Sequence, residues 1–107
     1  MPLQELTTSD RARALERGIA LRRERARILN DVRSGHTSIG EVLSRSDYTV
    51  GRIRVKNLLK ALPGIGEVRS RDLLKELGIA EQRRVQGLGV RQRRRILEMF
   101  PHGESAR

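Results

Sequence analysis

The chain has 107 residues, 23 Lys and Arg against 13 Asp and Glu, and a formal net charge of +10 at pH 7. A chain this short builds one small domain, which excludes multidomain enzymes, and the cationic excess points to a polyanionic partner. Aromatic residues are only 2% of the chain (Tyr48 and Phe100, no Trp), too few for the stacking platforms of single-strand nucleic-acid readers. With no cysteine there is neither a disulfide framework nor a thiolate metal site, and His36 and His102 alone cannot build a metal centre. No metal, cofactor or small-molecule substrate is therefore expected. The N-terminus has no apolar leader segment and no stretch approaches the roughly 20 apolar residues that span a bilayer, so a soluble cytoplasmic protein without a membrane partner is expected.

Residues 1–7 read as a disordered lead. Thr7-Thr8-Ser9-Asp10 then offers side-chain oxygens to cap a helix start, and no proline follows until Pro63. A long helix is predicted over 8–34, with Ala12, Leu15, Ile19, Ala26 and Leu29 as its apolar stripe and arginine on most other faces. Gly35 ends it. Ser38-Ile39-Gly40-Glu41 has the S-x-x-E pattern of a capping box and predicts a short second helix, and residues 46–51 read as a loop. Val55, Leu58, Leu59 and Leu62 fall at i, i+3, i+4, i+7 and predict a helix with one buried face, stopped by Pro63. Glu67 opens the next helix, carrying Val68, Leu73, Leu74 and Leu77 inward and ending at Gly78. A helical turn over 80–85, a turn at Gly87-Leu88-Gly89 and a last helix over 90–99 with Ile96, Leu97 and Phe100 inward complete the prediction. No strand-length alternation of period two and no internal repeat occurs, so the fold class is all-α, and residues 101–107 form a tail.

The basic residues are distributed unevenly. Twenty of the 23 are arginine, whose planar donor fork suits phosphate, and residues 52–95 hold thirteen basic against four acidic groups. Within that stretch lies Leu62-Pro63-Gly64-Ile65-Gly66, a turn between two amphipathic helices. Its glycines permit positive φ and leave no side chain between the backbone and an approaching group. At the start of the following helix, exposed N–H groups and the helix dipole suit a phosphate oxygen, with Arg69 and Arg71 as countercharge. The same residues would also serve a plain helix end followed by a helix start.

The P-G-I-G turn is followed by S-x-x-L-L-x-x-x-G-I, then Arg83-Arg84-Val85, Gly87-Leu88-Gly89 and Ile96-Leu97. In this spacing the chain resembles the helix-hairpin-helix and helix-two-turns-helix group, found in a small-subunit ribosomal protein and in formamidopyrimidine-type DNA glycosylases. Over residues 5–100 it more closely resembles the actinobacterial type of integration host factor. That resemblance implies a nucleoid-associated protein that binds the backbone and minor groove of double-stranded DNA with little sequence preference and bends it. Its implied location is the bacterial nucleoid, and its further partners are a recombinase or other nucleoid proteins assembled on the DNA. Carried over by position, the family's turn falls on Pro63, Gly64 and Gly66, and its basic segment on Arg83, Arg84, Gln86, Gly87 and Gly89. Gln86 departs from the pattern, which usually has a third arginine there. The long helix departs as well, being Arg-rich at Arg22, Arg23, Arg25 and Arg27 where the family is commonly Ala-rich.

The implied organisation is a long basic helix over 8–34 packed on a helical DNA-binding domain over 35–100. Arg91, nearest the second glycine turn, is the favoured site residue of the last helix, and Arg52 and Arg54 are expected to flank the DNA. Arg93 lies towards the core side. Both glycine turns are expected to offer N–H groups to phosphates, and Arg22 and Arg25 to meet a second stretch of backbone from a separate surface. Two other functions compete. A ribosome- or structured-RNA-binding protein would use the same two-turn motif. A glycosylase would use Pro2 as an amine nucleophile, but Leu3 follows where an acid is needed, and no catalytic constellation appears, so the chain is not expected to be an enzyme.

Overall fold

Thr7 starts helix α1 (Thr8–Ser34) through a reciprocal capping box: Asp10 N–H donates to Thr7 Oγ1 at 3.0 Å and Thr7 N–H to Asp10 Oδ2 at 3.3 Å. The computed structural model describes residues 7–101. The expected lead and tail therefore fall almost wholly outside the described residues, as do Pro2, Leu3 and His102. At 27 residues α1 is about 40 Å long, and it dominates a molecule of 55 × 28 × 25 Å. The radius of gyration is 16.4 Å, against about 13 Å for a spherical chain of this size, because α1 overhangs the body.

Only the C-terminal turns of α1 enter the core. Ile28 and Val32 are buried and Leu29 packs against them, whereas Leu15, expected in the buried stripe, is 61% exposed, and Ala12 and Ala26 are exposed too. Of the expected stripe, Leu29 packs on the core and Ile19 is half-buried, and the residues nearer the N-terminus stay exposed because the overhanging half has nothing to bury against. Glu24 ties the helix down, accepting from Thr49 Oγ1 at 3.4 Å and lying 3.8 Å from Arg45 Nη2.

Helix α2 (Ile39–Ser44) starts with the predicted box: Ser38 N–H donates to Glu41 Oε1 at 2.8 Å and Glu41 N–H to Ser38 Oγ at 3.1 Å. The expected loop over 46–51 instead contains α3 (Tyr48–Gly51). Asp47 caps it, accepting Val50 N–H at 3.3 Å, and Thr49, Val50 and Gly51 are buried. Helix α4 (Val55–Lys60) buries Val55, Leu58 and Leu59, and Leu62 follows them into the core. Helix α5 (Glu67–Leu77) ends on left-handed Gly78 and buries Ser70, Leu73, Leu74 and Leu77. Val68 is 70% exposed, contrary to expectation, since Ser70 occupies the inward position of that first turn with its hydroxyl on Glu67 C=O at 2.7 Å.

The segment after α5 closes one hydrogen-bonded turn, with Arg83 N–H donating to Ala80 C=O at 3.0 Å, but is extended from there to Val85 where the helical turn was expected to continue. Arg84 pairs antiparallel with Arg54 in an isolated bridge: Val55 N–H donates to Arg83 C=O, and Val85 N–H to Ile53 C=O, both at 2.9 Å. A 3₁₀ turn (Val85–Gly87) then leads to α6 (Val90–Met99), where Ile96 is buried and Leu97 is 40% exposed. Arg93 occupies inward space on α6, donating to Leu43 C=O at 2.9 Å and Val85 C=O at 3.0 Å. No named strand occurs among the described residues, so the fold is all-α. No helix among them is long and apolar enough to cross a membrane.

An ion network locks α4 to α5. The Glu67 carboxylate accepts Lys60 Nζ at 2.9 Å, Lys56 Nζ at 3.0 Å and Arg71 Nε at 3.2 Å, while Glu81 stands 3.6 Å from Lys56 and 3.9 Å from Arg71. Lys60 first, then Lys56, draw the Glu67 carboxyl down to about 2.

Two stability measurements check this architecture. Ile28→Ala should cost about 2–5 kcal/mol in urea unfolding and Leu15→Ala within about 0.5 kcal/mol; comparable losses would mean that the overhang is packed. Because the Glu67 pKa is depressed on folding, its stabilisation is full above the ordinary carboxylate range and disappears as the pH falls through about 2. Glu67→Gln should thus lower Tm at pH 7, by no more than about 3 °C for so exposed a group, and the difference should close towards pH 2.

Candidate nucleic-acid interface

The bridge between Arg54 and Arg84 brings two arginine-bearing segments side by side. Ile53, Val55 and Val85 alternate with those arginines and are buried, so the backbone pairing turns the cationic side chains outward while their neighbours anchor the core. Arg84 Nη1 donates to Arg52 C=O at 2.8 Å. The positive charge of Arg52 beside it, then its partial burial, then Arg54 and Arg25, hold the Arg84 guanidinium below its ordinary pKa. It remains a cation at neutral pH. Three of the charges acting on Arg84 are other arginines, so this patch is concentrated and unneutralised.

Arg25 belongs to α1, so the long helix contributes to the same surface as the bridge and not to a separate one. A groove of about 190 Å³ marks the junction, lined by Gly18, Leu21, Arg22 and Arg25 on α1 and by Tyr48, Thr49 and Arg52 across from it. The expected second surface is thus corrected: α3 and the bridge pack where α1 enters the core, which brings Arg22 and Arg25 to Arg52. Gln86 stands exposed beside this patch, seated on Gly51, where an added Cβ would lie 3.0 Å from Gln86 Oε1. The absence of a side chain at Gly51 is what lets the amide lie flat.

The P-G-I-G turn lies at the other end of α4, about 9 Å along its axis. Pro63 is exposed, Gly64 has φ 83°, and Ile65 N–H donates to Leu62 C=O at 3.2 Å to close the turn. Gly66 precedes α5 with no side-chain cap, leaving the first N–H groups of that helix for solvent or a ligand. Nothing in the protein lies within 4 Å of a Cβ built on Gly64 or Gly66. Arg69 is exposed beside this opening, but Arg71 is held by Glu67 and Glu81, so its charge is already countered.

In the second glycine turn the N–H groups of Gly87, Leu88 and Gly89 are taken within the fold, and it is the first N–H groups of α6, which like α5 starts without a side-chain cap, that stay open. Gly87 N–H donates to Arg84 C=O at 2.9 Å, Leu88 N–H to Val85 C=O at 3.1 Å and Gly89 N–H to Gln92 Oε1 at 2.9 Å. Its glycines serve packing and capping instead: Arg83 Nη1 donates to Gly87 C=O at 2.7 Å, and a Cβ on Gly87 would meet Arg83 Cδ at 2.9 Å. Arg83 is thereby oriented, while Arg91, Arg94 and Arg95 are exposed on α6 outside the bridge. Tyr48, a loop residue by sequence, stands in the patch with Arg52 Cζ 5.9 Å from its ring centroid. Its one sequence signal was being the single tyrosine between two arginine-rich segments.

Residues 32–100 match the family model described as S13-like H2TH domain. The chain is 43% identical over 102 residues to the integration host factor of Mycobacterium tuberculosis, covering 94% of this chain and 97% of that protein. It is also 43% identical over 94 residues to the integration host factor of Streptomyces coelicolor, covering 86% and 88%. Among solved structures, sIHF bound to an 8-bp palindromic DNA superposes with a TM-score of 0.78 at 38% identity, covering 79% of this chain and 98% of that one. The S13-like H2TH fold over residues 32–100 and the nearly end-to-end similarity to curated relatives place this chain in the integration host factor family.

Proposed function

We propose that this chain is a nucleoid DNA-binding and DNA-bending protein whose contact surface is the arginine face of Arg22, Arg25, Arg52, Arg54, Arg83 and Arg84, extended by the hairpin turn at Pro63, Gly64 and Gly66. The observation that carries this reading is the gathering of arginines on one surface: the bridge sets Arg84 beside Arg54, Arg84 Nη1 bonds Arg52 C=O, and Arg52 shares a groove with Arg22 and Arg25. Like charges held together cost free energy in the folded protein, and a polyphosphate relieves that cost on binding. The solved relative bound to DNA and the integration host factors that match almost end to end support duplex DNA as the polyanion. No comparable similarity supports the structured-RNA reading.

The two parts of the surface divide the work. The arginine face supplies countercharge, and the hairpin supplies backbone N–H groups at the start of α5, where a phosphate oxygen gains directional bonds. The two parts lie at opposite ends of α4, so they meet phosphates at separate points along the duplex. The overhang of α1 along the same surface extends the contact beyond the body of the fold and favours a bent duplex. Gln86 adds a neutral donor and acceptor beside the arginines, suited to the groove edge. The chain acts by binding and not by catalysis, in the nucleoid and therefore in the cytoplasm.

Affinity for random duplex should fall with salt by about 0.9 log units per log unit for each phosphate neutralised. Arg25→Ala and Arg54→Ala should each weaken binding equally on all sequences and reduce that slope by about 1, with the urea midpoint unchanged. A salt-independent affinity would contradict backbone binding, and an Arg25 variant with wild-type slope would detach α1 from the interface. For the hairpin, Gly66→Ala should cost less than about 1 kcal/mol of stability, since φ is −99° and the space is empty, yet weaken DNA binding measurably by obstructing the N–H groups. Unchanged affinity would remove the turn from the contact surface.

A further inference from the structure

The chain holds one tyrosine, one phenylalanine and no tryptophan, and the two rings have opposite surroundings. Phe100 packs against the core, whereas Tyr48 is 64% exposed. A single exposed aromatic is ordinary on a protein surface. This one is distinguished by how its backbone is fixed and by what flanks it. Asp47 caps α3 and is itself held by Arg45 at 2.8 and 3.2 Å, and the three residues after Tyr48 are buried. The ring therefore projects from a rigid base.

On one side of Tyr48 lies the groove shared with Gly18, Arg22, Arg25 and Arg52; on the other lies a larger recess of about 670 Å³ that reaches Gln86, Gly51 and Arg93. Tyr48 is the ridge between them. The Arg52 guanidinium lies over the ring, its Cζ 5.9 Å from the ring centroid. An aromatic face braced by a guanidinium, raised between two recesses and surrounded by phosphate-binding charge, is a stacking surface for a flat, electron-rich ligand attached to phosphates. In a duplex such a face is available only where a base step has opened.

We propose that the Tyr48 ring, backed by Arg52, stacks against the exposed face of an unstacked base at a kinked or interrupted step of duplex DNA, and so makes the protein prefer such steps to continuous duplex. The proposal rests on the DNA-binding reading above. It gives that surface a specificity for deformability that arginines alone do not supply, because phosphates are present at every step and open base faces are not.

Because Tyr48 is the sole tyrosine and tryptophan is absent, intrinsic tyrosine emission reports this ring directly. The full chain would be titrated into a labelled continuous duplex and into the same duplex with a one-nucleotide gap, with DNA anisotropy and tyrosine emission read together. Tyr48 emission should be quenched on saturation, more strongly with the gapped duplex. Tyr48→Ala should lose about tenfold in affinity for the gapped duplex and only a few-fold for the continuous one, erasing the preference. Tyr48→Phe should keep it, with both variants retaining the wild-type circular dichroism. Unchanged emission at saturation, or an undiminished preference in Tyr48→Ala, would overturn the proposal while leaving DNA binding intact. A Tyr48→Phe variant that behaves like Tyr48→Ala would assign the effect to the hydroxyl and overturn stacking. No anisotropy change with either duplex would instead overturn the DNA-binding reading itself.

Discussion

Two backbone hydrogen bonds, from Val55 N–H to Arg83 C=O and from Val85 N–H to Ile53 C=O, set the geometry on which the candidate interface depends. They tie residues 53–55 to residues 83–85 across most of the two-turn motif, and the alternation of the extended backbone does the rest. Ile53, Val55 and Val85 go in; Arg54 goes out. The burial of those three side chains, each worth about 1.5–3 kcal/mol, offsets the repulsion among the arginines they hold in register. The Arg84 guanidinium strengthens the same seam by bonding Arg52 C=O. A cationic surface is thus built from residues whose immediate neighbours are the core, and its shape is as fixed as the core is.

Charge in this protein is sorted as well as abundant. Around Glu67 and Glu81 three cations are paired and their field is largely cancelled, which stabilises the α4–α5 hairpin but removes Lys56, Lys60 and Arg71 as free countercharge. Arg93 is spent on two carbonyls inside the fold. Around Arg84 the neighbouring charges are arginines, and the field is left open to a polyanion. Net charge alone does not make this distinction; it needs the partner of each side chain. The overhang of α1 extends the open field, since Arg22 and Arg25 line the groove that Arg52 closes from the other side.

Local chemistry made much of the fold legible from sequence. The capping oxygens of Thr7-Thr8-Ser9-Asp10, the capping box at Ser38, the terminal Gly35 and Gly78, and the i, i+3, i+4, i+7 stripe of α4 are short-range signals, and each marks the boundary or face it predicts. What was not legible depends on contacts between distant segments. The buried part of α1 is set by where α3 and α4 meet it, so the predicted apolar stripe runs on into an overhang with nothing to bury against. Four-residue α3 owes its existence to Asp47 and to the burial of Val50, neither of which has a helical period long enough to read. The second glycine turn looked like an N–H donor site by composition, but Gln92 and two carbonyls take those donors first. Arginine-rich runs identified the segments of the candidate interface; only the bridge sorts exposed countercharge from structural arginine.

Arginine side-chain Nε–Hε resonances, followed by NMR as a short duplex is titrated into the full chain, test the central claim most directly, because they report each guanidinium separately. A single surface predicts that Arg25, Arg52, Arg54 and Arg84 shift along one common binding curve while Arg71 and Arg93, engaged within the fold, move little. Shifts centred on Arg91, Arg94 and Arg95 with the bridge arginines silent would contradict it.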